Sequence, residues 1–306
     1  MIINLINTVL LLIMPFLFVG TIKKTKAFFA GRKGASIFQP FYDFLRLLKK
    51  ETVYPDVTTW VYKFAPVIIF SSVIFASLFV PMSCGMSIVN VPFAFVIFSY
   101  VLGFGKFFSL ISALDTGSSF EGMGASREAC FSTMVEPAFF ILFASVIALV
   151  QINSFESLKH LVFNSGVYGY LIIILASIAL FIMLLIEGCR VPVDDPATHL
   201  ELTMIHEVMI LDNSGFDLAL ITWASAIKMF LFASLITSLI LPSGLPLWLN
   251  ILLFILCIFS IAITVGIVES SMARFRMTHV FEFVFVMSIL SLLILTLSTY
   301  RIYGGV

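Results

Sequence analysis

Apolar residues run almost uninterrupted along this chain, broken at intervals by short polar stretches, and the run lengths decide the architecture. A spanning helix needs about 20 apolar residues at ~1.5 Å rise each. Eight runs qualify, at about residues 2–21, 61–81, 89–111, 130–151, 167–187, 217–241, 247–268 and 280–299. The first lacks a basic leader and a small-residue cleavage site, and its positive charges follow it, so it is expected to be a retained helix. One polar connection has its own period. Phe38, Phe41, Tyr42, Leu45 and Leu48 recur at helical spacing among Asp43, Arg46, Lys49 and Lys50, which predicts an amphipathic helix at the membrane interface. The pattern gives an all-α integral membrane protein with about eight transmembrane helices and an amphipathic interfacial helix in the first cytoplasmic loop. Residues 1–306 form a single polytopic membrane domain, with an amphipathic cytoplasmic segment at 23–60 and an acidic cytoplasmic loop at 188–216.

Composition agrees, with 61% hydrophobic residues and 11% charged. Seventeen basic side chains balance 17 acidic ones, so nothing points to nucleic acid as a partner. The four cysteines stand singly, a spacing that does not hold an iron–sulfur cluster or zinc within this chain. With eight spans, 13 of the 17 Lys and Arg residues fall on one side, from Lys23 through Lys63 and at Arg127, Arg190, Arg274 and Arg276. The positive-inside bias makes that side cytoplasmic and places both termini outside, in the cytoplasmic (inner) membrane.

Candidate chemistry concentrates where charge meets hydrocarbon. Seven of the 17 carboxylates lie between Glu187 and Asp217, in a segment holding one arginine, Arg190. An ionisable group in a span costs roughly 2.5–3.5 kcal/mol on insertion scales and tends to mark an ion pathway. Glu136, followed by Pro137, lies inside the fourth span, Glu187 ends the fifth, Lys228 is central in the sixth and Lys106 lies in the third. The candidate coupling and proton-path residues are Glu136, Glu187, Asp194, His199, Glu201, Glu207, Asp212 and Lys228. Pairing of Lys228 with one of these acids to fix helix packing is the structural alternative. His199 and His206 are seven apart and would share a helix face, suited to proton exchange near neutral pH. Neither completes a zinc-protease or deaminase motif.

Three stretches carry a resemblance. GRKGASIFQPFYDFLRLLKKE, with Arg32, Gly34, Gln39, Pro40, Asp43, Arg46, Leu47, Lys50 and Glu51, resembles the membrane subunit shared by respiratory complex I and the energy-converting nickel–iron hydrogenases. LDTGSSFEGMGASREACFSTMVEP, with Arg127, Glu128 and Glu136, and ESSMARFRM, with Glu269 and Arg274, are similar to its formate hydrogenlyase and hydrogenase-4 branch. The acidic segment agrees at Glu187, Pro192, Asp194, Glu201 and Ser214-Gly215, whereas His199 stands near a position usually held by Glu.

The resemblance implies a non-catalytic coupling subunit. Soluble hydrogenase-like large and small (iron–sulfur) subunits would dock through Arg32, Gln39, Asp43, Arg46, Lys50, Glu51, Arg127, Glu128, Arg190 and Arg274, and antiporter-like membrane subunits would lie beside it in the bilayer. Iron–sulfur clusters and a nickel–iron centre would then belong to those partners, and this chain alone would bind no cofactor. A quinone-site subunit of a complex-I-like quinone reductase shares the first motif and stays open as the alternative, with a free-standing ion transporter as the third reading. On this topology, cysteines placed near Asn164 and the C-terminus are labelled by a membrane-impermeant thiol reagent added outside, while cysteines near Asp56 and Asn213 are protected. The opposite labelling pattern would reverse the side assigned to every polar loop.

Overall fold

The structure is a computed structural model that describes residues 2–150, 155, 158, 166–195, 204–242 and 244–303. All its long elements are helices: α1 (Ile2–Phe29), α2 (Gln39–Leu48), α3 (Trp60–Ser77), α4 (Ala94–Asp115), α5 (Ser119–Val150), α6 (Gly166–Glu187), a single turn α7 (His206–Met209), α8 (Gly215–Ile240), α9 (Leu247–Ser271) and α10 (Met277–Tyr303). Eight of them are long and apolar enough to cross a membrane, as the run lengths predict. Helices are the economical answer in lipid because every backbone N–H and C=O is satisfied within the segment.

The ends differ from the sequence expectation in an informative way. α1 continues to Phe29 and carries Lys23, Lys24 and Lys26 on its last turns, and α5 begins at Ser119, placing Glu121, Arg127 and Glu128 on a helix. α5 has 32 residues, roughly 48 Å of helix against a hydrocarbon core of about 30 Å. Apolar run length measures only the part in lipid, so polar overhangs escape it.

α8 is the axis of the bundle. Its most apolar stretch is 78% buried, more than that of any other span, and it packs against α1, α2, α3, α6 and α9. Lipid tails are as apolar as leucine, so close packing of small residues holds such helices together more than hydrophobicity does. Gly105 of α4 lies against Ser72 of α3, and Gly266 of α9 against Thr25 and Ile22 of α1. Aromatic rings fill the interior: Phe139 lies 4.6 Å from Phe143, and Phe98 packs on Phe139 at 5.9 Å and on Phe232 at 5.8 Å. Such pairs contribute about 0.5–1.5 kcal/mol beyond area burial.

The amphipathic segment forms the expected helix, and Pro40 in its first turn suits a helix start. One face of α2 reaches the bundle through Phe41 and Phe44 against Phe16 of α1, and Phe44 meets Trp223 of α8 at 4.8 Å. Tyr42, Leu45, Arg46 and Leu48 stay exposed. The connection after α2 is tied to the base of α8. Val53 N–H donates to Ser214 Oγ at 2.9 Å, and Gly215, at φ +53°, sits against the carbonyls of Lys50 and Glu51. Gly215→Ala therefore meets both a left-handed backbone and a carbonyl 2.8 Å away. Gly31→Ala, at φ +66° in open space, meets only the backbone penalty of about 1–2 kcal/mol. The expected result is a clearly larger fall in apparent Tm in detergent for Gly215→Ala; equal falls would show that the tether is loose.

Candidate functional site

A charged cluster forms where α4, α5, α6 and α8 meet. Glu187 ends α6, and its two oxygens are shared by lysines from different helices: Lys106 Nζ of α4 donates to Oε1 at 2.7 Å and Lys228 Nζ of α8 lies 3.4 Å from Oε2. Lys106 also lies 3.5 Å from Glu128 Oε1 of α5. Two cations and two carboxylates thus balance in surroundings of low dielectric, where an unpaired charge would be costly. The pairing alternative raised for Lys228 is realised here. Next to the balanced group is one more acid. Glu136 shares with Lys106 and Glu187 a cavity of ≈ 20 Å³, enough for one water. It pairs with no basic side chain among the described residues. Pro137 cannot donate to the carbonyl of Thr133, which leaves a polar backbone group near this acid.

The α6 terminus owes its shape to a left-handed Cys189 at φ +49°, which lets Arg190 N–H return to the Leu185 carbonyl at 2.9 Å. Burial, followed by the neighbouring Glu128, pushes the Cys189 thiol well above its ordinary range. It is a neutral neighbour of the cluster and adds no third anion.

Two larger cavities continue from the cluster toward α2. One of ≈ 60 Å³ is lined by Lys106, Glu128, Glu187, His206, Ser225 and Lys228. The other, of ≈ 420 Å³, also reaches His206 and Ser225 and opens beneath α2, between the rings of Phe16, Phe44 and Trp223 and the charges of Lys23, Lys26, Asp43, Arg190, Glu207 and Glu269. His206 and Ser225 line both cavities. An apolar patch of Ala113, Ala125, Met209, Ile210 and Ile221 packs beside this path.

The acidic segment is arranged otherwise than its single arginine suggests. Arg190 Nη1 lies 3.3 Å from Glu269 Oε1 of α9, whose other oxygen is 3.5 Å from Lys26 Nζ of α1. Lys26 also lies 3.4 Å from Asp195. Asp194, 1% exposed, is a structural knot: it is 3.1 Å from Arg274 Nη2, and it accepts the N–H groups of Asp195, Ile205 and His206 at 2.9, 2.9 and 3.2 Å. Arg127 Nη1 donates to the Met204 carbonyl at 3.0 Å beside it.

Of the predicted coupling residues, the structure gathers Glu187, Lys228 and Glu136, with Glu128 from the predicted docking set. It places Glu207 on the large cavity and leaves Asp212 exposed, where its N–H donates to buried Glu121 at 3.1 Å. His199 and Glu201 lie outside the described residues. In the docking set, Gln39 Nε2 donates to Asp43 Oδ1 at 2.8 Å, and Arg32, Arg46, Lys50 and Glu51 are surface side chains. Lys26, Lys106, Glu121 and Glu269 belong to the polar interior and were absent from both predicted sets. For Lys106 a signal existed, a cation within a span; for Lys26 there was none, since it reads as one of a basic run.

The architecture is shared with a chain of the membrane-bound sulfane sulfur reductase, an archaeal respiratory membrane complex. The TM-score is 0.81 over 97% of this chain and 100% of that one, at 17% identity. Hydrogenase-4 component C of Escherichia coli is 31% identical over 286 residues, covering 89% of this chain and 87% of the relative. Formate hydrogenlyase subunit 4 of the same organism is 25% identical over 280 residues, covering 89% and 90%. The profile of a family described as NADH dehydrogenase matches residues 1–299. With its eight apolar helices and a charged cluster between them, the chain is a multi-pass membrane member of the NADH dehydrogenase family.

Proposed function

We propose that this chain is the coupling subunit of a complex-I-like hydrogenase or respiratory complex, linking redox chemistry in docked partners to proton or sodium translocation. Hydrogenase-4 component C and formate hydrogenlyase subunit 4 are by name parts of hydrogen-metabolising assemblies, and the redox centres, iron–sulfur and nickel–iron, are assigned to partners. The α2 side is the cytoplasmic side of the inner membrane on this reading. Exposed Arg32, Arg46, Lys50 and Glu51 are the surface offered to the soluble subunits, and antiporter-like subunits flank the bundle.

The observation that carries the reading is the row of neighbouring cavities, ≈ 420, 60 and 20 Å³, whose shared lining residues run from beneath α2 through Glu187 to Glu136. A change of charge in the outer cavity shifts the balance between Glu187 and its two lysines. Releasing either lysine from Glu187 favours movement of a proton on a neighbouring carboxylate, because the group keeps neutrality in low dielectric. Glu136 is the acid free to take it up.

Two substitutions separate scaffold from relay. Glu187→Gln strands Lys228 and leaves Lys106 only Glu128, and is expected to cost about 3–5 kcal/mol, read as poor assembly. Glu136→Gln breaks no ion pair, so the complex should assemble with unchanged apparent Tm while ion uptake in vesicles falls by about tenfold or more per turnover. Wild-type uptake by an assembled Glu136→Gln complex removes this acid from the path.

A quinone-reductase reading is favoured by one feature. The ≈ 420 Å³ cavity falls in the usual range for small-molecule sites, and its Phe16 and Trp223 rings stack at 5.6 Å. If a quinone enters, a short-chain quinone added to the detergent-purified complex quenches Trp223 fluorescence saturably, and Trp223→Phe abolishes the signal. Linear, non-saturating quenching would exclude a quinone site here.

A further inference from the structure

Glu121 is the most deeply buried acid among the described residues, at 0% exposure, and it is held differently from the others. Glu187 and Glu269 each meet a basic side chain at both oxygens, and Asp194 has Arg274 at one oxygen and backbone N–H groups at the other. Glu121 accepts the Asp212 N–H at Oε1, 3.1 Å away, and its Oε2 has no partner among the described residues. An ionised carboxylate accepts hydrogen bonds at both oxygens, whereas the protonated acid accepts at one and donates from the other. The one-sided pattern at Glu121 is that of the acid.

Its surroundings repel a further negative charge. Glu121 is the third residue of α5, on the end that overhangs the hydrocarbon, and it faces the turn into α8. Asp212 in that turn and Asp217 in the first turn of α8 bring two more carboxylates, and Tyr62 of α3 lies within electrostatic reach of all three. The charges nearby are committed elsewhere: Lys63 of α3 stands 5.3 Å over the Tyr54 ring, Tyr54 turns to Asp217, and Asp115 at the end of α4 accepts from Thr59 at 2.8 and 2.9 Å. Thr116 beside Glu121 gives its hydroxyl proton to the Ala113 carbonyl at 2.9 Å, so it is left with lone pairs to offer. The Tyr62 hydroxyl and the Oδ1 of Asn213, next to Asp212, are also buried without a partner. Among the described residues no basic side chain forms an ion pair with Glu121, and no three His, Cys, Asp or Glu side chains converge to hold a metal ion. A buried acid with neither form of counter-charge is favourable only when neutral.

We propose that Glu121 is a second proton-holding site, a neutral carboxylic acid at physiological pH that is buried against the turn into α8 and separate from the row of cavities. The proton sits on Oε2 while Oε1 keeps the Asp212 N–H. This stands on the packing around Glu121 and does not depend on the coupling reading. Loss of the proton puts a third charge beside Asp212 and Asp217 and loosens the turn between α7 and α8. The other end of that segment carries His206 to the two larger cavities, so exchange at Glu121 is tied to the position of a residue on the cavity row.

The test compares wild type with Glu121→Gln, which keeps the shape and neutrality of the acid, by the apparent Tm of the detergent-purified complex followed through a fluorescent tag on this chain. An unfolded Glu gives up its proton near about pH 4.3. Above that pH the folded wild type still binds a proton that the unfolded chain has lost, so its stability falls as pH rises, and Gln has no such loss. Between about pH 5 and about pH 8, the Tm of Glu121→Gln minus that of wild type is therefore expected to grow by several degrees. A difference that stays constant or falls as pH rises is the mark of an ionised, paired carboxylate and overturns the proposal, as does failure of the Gln variant to assemble. A second measurement replaces N-methylglucamine chloride by sodium or potassium chloride at constant ionic strength. Equal responses of wild type and variant are expected; a saturable gain in Tm confined to wild type shows a metal cation in place of the proton and overturns the proposal.

Discussion

A single buried carboxylate, shared by two lysines, sets the terms for the centre of this protein. Glu187 meets Lys106 at 2.7 Å and Lys228 at 3.4 Å, so α4, α6 and α8 are joined at one point by groups none of which tolerates being left alone. Removing one member of a buried pair typically costs about 3–5 kcal/mol, whereas the intact pair adds little net stability over a good apolar fit. The cluster is therefore better understood as a constraint than as glue. It fixes which helices adjoin and keeps ionised groups in a place that would otherwise reject them. The remaining architecture supports it: small residues bring α3 against α4 and α1 against α9, and the rings of Phe98, Phe139 and Phe232 close the space above.

Much of the fold was legible because lipid imposes a simple length rule. The eight spans, and α2 with its helical apolar period, follow from run lengths and from residues such as Phe41 and Leu45. The overhangs were not legible. Arg127 and Glu128 look like loop residues when only apolar runs are read, yet they continue α5 beyond the hydrocarbon and bring Glu128 to Lys106. Contacts between distant segments were equally hidden. That Arg190 would turn to Glu269, 79 positions away, and Lys26 to the same acid, depends on how helices pack, which charge patterns along a chain do not record.

Asp194 carries a structural role that its acidity alone does not reveal. In the sequence it belongs to a dense acidic run and resembles a coupling residue. In the fold both its oxygens are committed, to Arg274 and to the backbone N–H groups of Asp195, Ile205 and His206. Such a carboxylate holds two stretches of chain together, and the ends of the connection it closes are those that deliver His206 to the two larger cavities. Glu136 is the contrasting case: partly exposed, beside a proline and a water-sized space, and paired with no cation among the described residues. Freedom from partners, more than membership of an acidic cluster, distinguishes a group that can change its charge.

The narrowing of the three cavities bears on selectivity. The innermost space, ≈ 20 Å³, exceeds the roughly 10–15 Å³ needed for one water molecule and holds little else. A sodium ion sheds its hydration shell only where several oxygen ligands replace it, and around this space the side-chain oxygens are those of Ser99, Glu136 and Glu187, the last already held by two lysines. A proton needs only a single water and two neighbouring groups to hop between. At its narrow end the space thus has room for one water between two carboxylates, a size that suits a proton hop better than a hydrated cation.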